Sequence, residues 1–203
     1  MHKNVFINCP FDKEYAPILQ GMLFCIIYLG FNPRLATERN HSGENRIDKI
    51  VELITECQLS IHDLSRCQAQ YEGEHFRLNM PLELGIDYGC KSFGKGMQKK
   101  SFLILEEQRY RYQAFISDLS GCDIESHNGD FQIAVRKVRN WLTSGGGAPK
   151  LGAAKITGAY YEFQEWNYET QLEAGFSEED IQDYPTTELL AAMLKWVKIQ
   201  KIK

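Results

Sequence analysis

Apolar and polar positions fall into blocks along this chain, and the period of the pattern switches in a regular order. Val5, Phe6 and Ile7 form a short apolar run that stops at Asn8, which reads as a buried strand, and Cys9-Pro10-Phe11-Asp12 then turns the chain. From Glu14 to Leu29 nearly every side is apolar, the pattern of a helix packed deep against a sheet. Pro33 to Ala36 reads as a second strand, followed by a polar loop from Thr37 to Gly43. Ile47, Ile50, Val51, Ile54 and Cys57 then recur at helical spacing with Arg46, Asp48, Lys49 and Glu52 on other faces, an amphipathic helix that Ser42 can cap. Leu59 to Asp63 alternates like a strand and ends on an acid. A polar loop from Leu64 to Leu78, a helix from Met80 to Phe93, strands at Ser101 to Leu105 and Cys122 to Glu125, and a helix from Phe131 to Leu142 complete the series.

Strands alternating with helices at this spacing predict a mostly parallel sheet covered on both faces, an α/β fold of the flavodoxin-like or Rossmann-like doubly wound kind over residues 1–143. Residues 144–153, opening Ser-Gly-Gly-Gly-Ala-Pro, read as a flexible linker, and residues 154–203 as a short helical appendage. The appendage is electrically distinct: it holds nine acids and five lysines, while the preceding residues balance at 18 and 18. Its aromatic stretch (Tyr160, Tyr161, Phe163, Trp166, Tyr168) and its final amphipathic helix (Leu189, Leu190, Met193, Trp196, Val197) need an apolar surface to cover, either the main domain or another subunit of a homo-oligomer.

Composition narrows the function classes. With 43% hydrophobic and 25% charged residues the chain is of globular type. A formal charge of -4 offers no electrostatic footprint for holding nucleic acid. The apolar run from Ile18 to Phe31 is shorter than the ~20 residues of a membrane span, and it follows Asp12, Lys13 and Glu14, so neither a membrane anchor nor a signal peptide is expected. Six scattered cysteines without a C-x-x-C pair read as reduced structural thiols of a cytoplasmic protein. No Walker loop, G-x-G-x-x-G or H-E-x-x-H pattern occurs, and no metal or resident cofactor is expected.

In open α/β sheets ligands bind beyond the carboxyl ends of the strands. That rule selects the stretch from Asn8 to Asp12 after the first strand, with Asn8, Pro10, Phe11 and Asp12 as candidate contacts, Glu38 and Arg39 after the second, Asp63 at the end of the third, and Glu83 at the helix start that also carries Asn79. Pro81 suits a first helical turn, Asn79 or the backbone before it can cap it, and Glu83 is expected in that turn or just past it, where the dipole favours an ionised carboxylate. Gly85 and Gly89 are read as a flat stripe packing on the sheet. A rigid carboxylate in a cleft is what glycosidic cleavage requires, because the transition state is a cationic, oxocarbenium-like sugar. Asn8 and Phe11 can hold and stack a base, and Arg39 and Arg46 can bind a pyrophosphate. Asp63 can bond sugar hydroxyls or a base edge, or simply end its strand on backbone amides.

Two families resemble this chain at these residues. The first strand with Asp12, the amphipathic helix of Ile47 to Cys57, the strand ending at Asp63 and the Glu83-Leu84 pair look like a TIR domain across roughly residues 3–142. Asn8-Cys9-Pro10-Phe11, Asp63 and Pro81-x-Glu83-Leu84-Gly85 resemble the nucleoside 2-deoxyribosyltransferases. Both resemblances imply a catalytic Glu83, aided by Asp63, that cleaves the N-glycosidic bond of NAD or a related nucleotide or nucleoside, with NAD as substrate rather than cofactor. The TIR resemblance also implies a role in bacterial antiviral defence and self-association through residues 154–203. The alternative is a non-catalytic module that binds a nucleotide or a protein partner through the same cleft.

Overall fold

The computed structural model describes residues 3–38, 43–67 and 78–202. Five strands, β1 (Asn4–Asn8), β2 (Asn32–Arg34), β3 (Leu59–Asp63), β4 (Ser101–Glu106) and β5 (Glu125–Ser126), form one sheet in the order β2-β1-β3-β4-β5. Every pairing is parallel, and Asn8 at the end of β1 lies opposite His62 of β3. The fold is thus the doubly wound α/β type with flavodoxin-like strand order. β3 is buried throughout and β1 nearly so, which is why both read as apolar runs.

Helices α1 (Ala16–Tyr28) and α4 (Phe131–Ser144) cover one face, packed so closely that a Cβ on Gly21 would lie 3.0 Å from the Phe131 ring. Helices α2 (Arg46–Glu56) and α3 (Asn79–Phe93) pack together on the other face. Ser42, the expected cap of α2, lies outside the described residues; the Asn45 side chain fills the role, accepting from the Ile47 amide at 3.1 Å. β2 ends two residues earlier than the pattern suggests and β5 is displaced toward His127, both being edge strands whose short ladders leave little periodic signal.

Two expectations need correction. Gly85 and Gly89 do not face the sheet: a Cβ at either would meet nothing within 4 Å, and Gly85 is exposed on the outer side of α3 beside Leu82. Gly85→Ala is therefore expected to raise stability by about 0.5–1 kcal/mol, because it restricts the unfolded chain without a clash; chemical denaturation measures it, and a loss of stability would contradict this placement.

Residues 144–153 are likewise not an open linker. The amides of Gly145, Gly146 and Ala148 bond back to the carbonyls of Trp141 and Leu142, Gly147 takes a left-handed φ of 72°, and the Arg139 guanidinium donates to the Leu151 carbonyl. This capped turn sends the chain directly into α5 (Ala153–Glu173), then α6 (Glu178–Gln182) and α7 (Thr186–Ile202). α5 and α7 lie on the outer side of α1: the Phe24 ring is 5.3 Å from Tyr160, 5.5 Å from Phe163 and 5.6 Å from Trp196. One apolar core runs unbroken from Val5 in the sheet through α1 to Trp196. This is why α1 is apolar all round: it is covered by the sheet on one side and by the C-terminal helices on the other. Among the described residues no helix is long and apolar enough to cross a membrane.

Candidate functional site

The chain leaves β1 toward β2 on one side and leaves β3 toward β4 on the other, so a crevice opens between the carboxyl ends of β1 and β3. A cavity of about 530 Å³ occupies this switch point. The end of β1 supplies Asn8 and the loop after it Cys9, Pro10, Phe11 and Asp12; the start of α2 supplies Arg46; Leu78 and the start of α3 with Asn79, Met80 and Glu83 complete the wall. The volume suits a nucleoside-sized ligand.

Seven of the residues selected from sequence therefore line one cavity: Asn8, Pro10, Phe11, Asp12, Arg46, Asn79 and Glu83. Arg39 falls outside the described residues. Asp63 is brought to the same edge of the sheet but not onto the cavity wall. Cys9, Leu78 and Met80 were not among the candidate contacts; they are carried in by neighbours in the same two segments, and nothing in their own residue types signals a site, while Glu38 is not on the cavity wall and is bonded to Arg34 and to the Leu35 amide.

Glu83 is the fifth residue of α3, just past its first turn as the pattern led one to expect, since the helix begins at Asn79 with Leu78 before it. It is 5% exposed, and its carboxyl makes no hydrogen bond to any described residue. Burial pushes its pKa up to about 7, with the Arg46 guanidinium pulling in the opposite direction. The expectation of a carboxylate kept ionised by the helix dipole is corrected accordingly: desolvation outweighs the dipole, and the group exchanges its proton near neutrality. Neighbouring Cys9 is held as a thiol, its pKa raised well above the ordinary value first by burial and then by the charges of Asp63, Glu83 and Asp12.

Asn8 is 3% exposed and committed on its amide side: Nδ2 donates to the Met80 carbonyl at 2.8 Å and lies 3.0 Å from His62 Nδ1. Asp12 accepts from the Tyr15 amide at 3.0 Å and lies 3.4 Å from Arg66, whose guanidinium also reaches Glu14 and Glu107. Phe11 is 43% exposed, so its ring is free to present a face at the mouth.

Asp63 belongs to a separate, closed network with no exposed surface of its own. Its Oδ2 accepts from the Tyr15 hydroxyl at 2.5 Å and sits 3.1 Å from His127 Nε2; its Oδ1 accepts from the Ser65 amide at 2.9 Å and from the Ser65 hydroxyl. Ser65, His127 and Asp63 have the residue types of a hydrolytic triad but not its polarity. The Gly129 amide donates to His127 Nδ1, so the ring proton sits on Nε2, 3.0 Å from the Ser65 oxygen, and the imidazole cannot serve that hydroxyl as a base. The network ties the ends of β3 and β5 to the entry of α1, and it gives Asp63 a structural post rather than contact with a ligand. The pattern held no signal for it, because Tyr15, Ser65 and His127 meet only through the fold.

Hydrogen bonds from Tyr15, Ser65 and His127 outweigh burial and hold the Asp63 carboxyl below its usual range. A lowered native pKa contributes stability that is present above the unfolded value of about 3.9 and is lost as pH falls through the native value. Asp63→Asn is expected to cost roughly 3 kcal/mol at neutral pH, since an amide would turn donors toward donors, and to flatten the acid limb of the stability curve. Urea unfolding between pH 3 and pH 7 reads both; an unchanged midpoint would remove the network from this role.

Comparison with family models, with curated proteins and with solved structures found no match for this chain.

Proposed function

We propose that the cavity cleaves the N-glycosidic bond of NAD or a related nucleotide or nucleoside, with Glu83 as nucleophile or as electrostatic stabiliser of the sugar cation. The observation that carries this reading is the state of Glu83: a buried carboxyl without a hydrogen-bond partner among the described residues, in a nucleoside-sized cavity at the switch point of the sheet. Ionised, it is a desolvated anion stabilised only weakly by its surroundings. As the sugar becomes cationic, that anion gains the counter-charge it lacks in the free protein, so the attraction is stronger in the transition state than in the ground state. Arg46 at the start of α2 can meet a phosphate or pyrophosphate, and Phe11 can stack on a base. The resemblance to TIR domains and deoxyribosyltransferases at Glu83-Leu84 favours the same bond, and the TIR resemblance extends the proposal to antiviral defence by a self-associating enzyme.

Purified protein incubated with NAD, and separately with adenosine and 2′-deoxyadenosine, is expected to release the free base, and Glu83→Gln to lower the rate by at least ~10³-fold. Because the ionised form is required, kcat/KM should rise with pH through about 7. Equal, background-level release by both proteins at high concentration would leave a binding module as the better reading.

A further inference from the structure

Asn8, which lines the cavity, carries at its side-chain amide one end of a buried polar chain. The Met80 carbonyl can only accept, so the Asn8 atom 2.8 Å from it is the amide nitrogen. That same nitrogen is 3.0 Å from His62 Nδ1, which must then be an acceptor, leaving the imidazole neutral with its proton on Nε2. Nε2 in turn lies 3.0 Å from Asp87 Oδ2, and the other Asp87 oxygen is 2.9 Å from the Lys100 ammonium. Lys100 donates to the Ile54 carbonyl at 2.7 Å and to that of Cys57, at the C-terminal end of α2. His62 and Asp87 have no exposed surface, Lys100 is 2% exposed, and the rings of Phe6 and Phe102 stand 6.0 and 5.9 Å from the imidazole.

Both protons of the Asn8 amide are therefore used inside the protein. Its Oδ1, on a residue that lines the cavity, makes no bond to any described residue. Lone buried amides can turn over; this one is fixed from both ends, by a carbonyl that cannot donate and by an imidazole whose tautomer a carboxylate sets.

We propose that the chain Lys100–Asp87–His62 is a positioning device that fixes Asn8 as a hydrogen-bond acceptor, so that the cavity selects ligands presenting a neutral N–H or O–H donor at that point. This deepens the reading of Proposed function and rests on it only for the choice of probes. Within that substrate class the donor is a carboxamide N–H of the base or a hydroxyl of the sugar.

The first test needs no variant. Two-bond ¹H–¹⁵N correlation on full-length protein labelled at histidine, with His62 identified by the signal missing in His62→Gln, is expected to show a neutral ring protonated at Nε2 at pH 7.5. A proton on Nδ1, or on both nitrogens, would overturn the proposal. The second test follows the Asn8 side-chain amide during titration with two matched pairs, nicotinamide against nicotinate and adenosine against 2′,3′-dideoxyadenosine.

At least one pair should show roughly tenfold tighter binding of the donor-bearing member, and the pair that does so identifies the source of the donor. In the first pair Arg46 favours nicotinate while an ionised Glu83 opposes it, so that pair is read in Glu83→Gln as well, where loss of the preference for nicotinamide would overturn the assignment. The preference should shrink in Asp87→Asn, where the tautomer is no longer set, and in His62→Gln should Asp87→Asn fail to fold. No discrimination or no binding in either pair overturns the assignment, whereas discrimination without base release would sink the enzymatic reading and leave this one standing.

Discussion

A chain ending at residue 149 is expected to lose the folded state, not merely an appendage. Phe24 of α1 is fully buried, and three of the rings against it, Tyr160, Phe163 and Trp196, belong to the segment removed. Each such side chain buries about 150–250 Å², and at about 25 cal/mol per Å² the loss over four of them is of order 10 kcal/mol or more. The whole stability of a domain this size is about 5–15 kcal/mol. The shortened chain should therefore be aggregated or molten, with an apolar stripe of α1 open to water. Size-exclusion chromatography and thermal unfolding of residues 1–149 test this; a monomer with a cooperative transition near that of the full chain would show that residues 1–143 fold alone.

The second large effect is a gain. Glu83→Gln is expected to remove activity and, at pH 8, to stabilise the protein by roughly 2–3 kcal/mol. The sign follows from the direction of the shift. Burial raises the native pKa to about 7 from an ordinary value near 4.5, so the native state holds the proton more tightly than the unfolded chain. The stability associated with the protonated form is fully present below the unfolded value, and is lost as pH rises through the native one. A shift of this size corresponds to ~3 kcal/mol at 1.36 kcal/mol per unit.

Glutamine carries no such cost at any pH. The difference in Tm between variant and wild type should be small at pH 4.5 and grow to about 5–10 °C by pH 8. A gap that does not change with pH would mean that Glu83 is ionised throughout and that its burial is compensated. A residue whose removal stabilises the fold while ending the chemistry is retained for what it does, which is why this variant bears on function as well as on folding.

The acidic groups of the site edge thus pull stability in opposite directions with pH. Glu83 loses it on the way up through neutrality; Asp63, and Asp87 through its hydrogen bond to His62 and the nearby charge of Lys100, lose it on the way down through the acid range. The most stable interval lies between the two.

Much of this was legible from local pattern. Apolar runs at Val5 to Ile7 and Leu59 to Ile61, and helical spacing from Ile47 to Cys57, are set by period alone, and the strand-helix alternation they make fixes a parallel doubly wound sheet through the handedness of its crossovers. The rule that ligands meet the carboxyl ends of such strands then selects the Asn8 to Asp12 loop and Glu83 without coordinates. What local pattern does not hold is anything set by contact at long range. That Glu83 is desolvated rather than dipole-stabilised depends on what lies over α3. That Gly85 and Gly89 face outward depends on the rotation of that helix about its axis. That the C-terminal helices complete the core of α1 depends on Phe24 meeting Trp196 across more than half the chain.

The two buried networks make the same point. Asp63 with Tyr15, Ser65 and His127, and His62 with Asn8, Asp87 and Lys100, each gather residues from separate strands, helices and loops. Periodicity determined which elements this protein has and which edge of the sheet carries its site. Only the tertiary structure decided the charge on Glu83, the post of Asp63 and the polarity of Asn8, because each is fixed by burial and by partners far away in sequence.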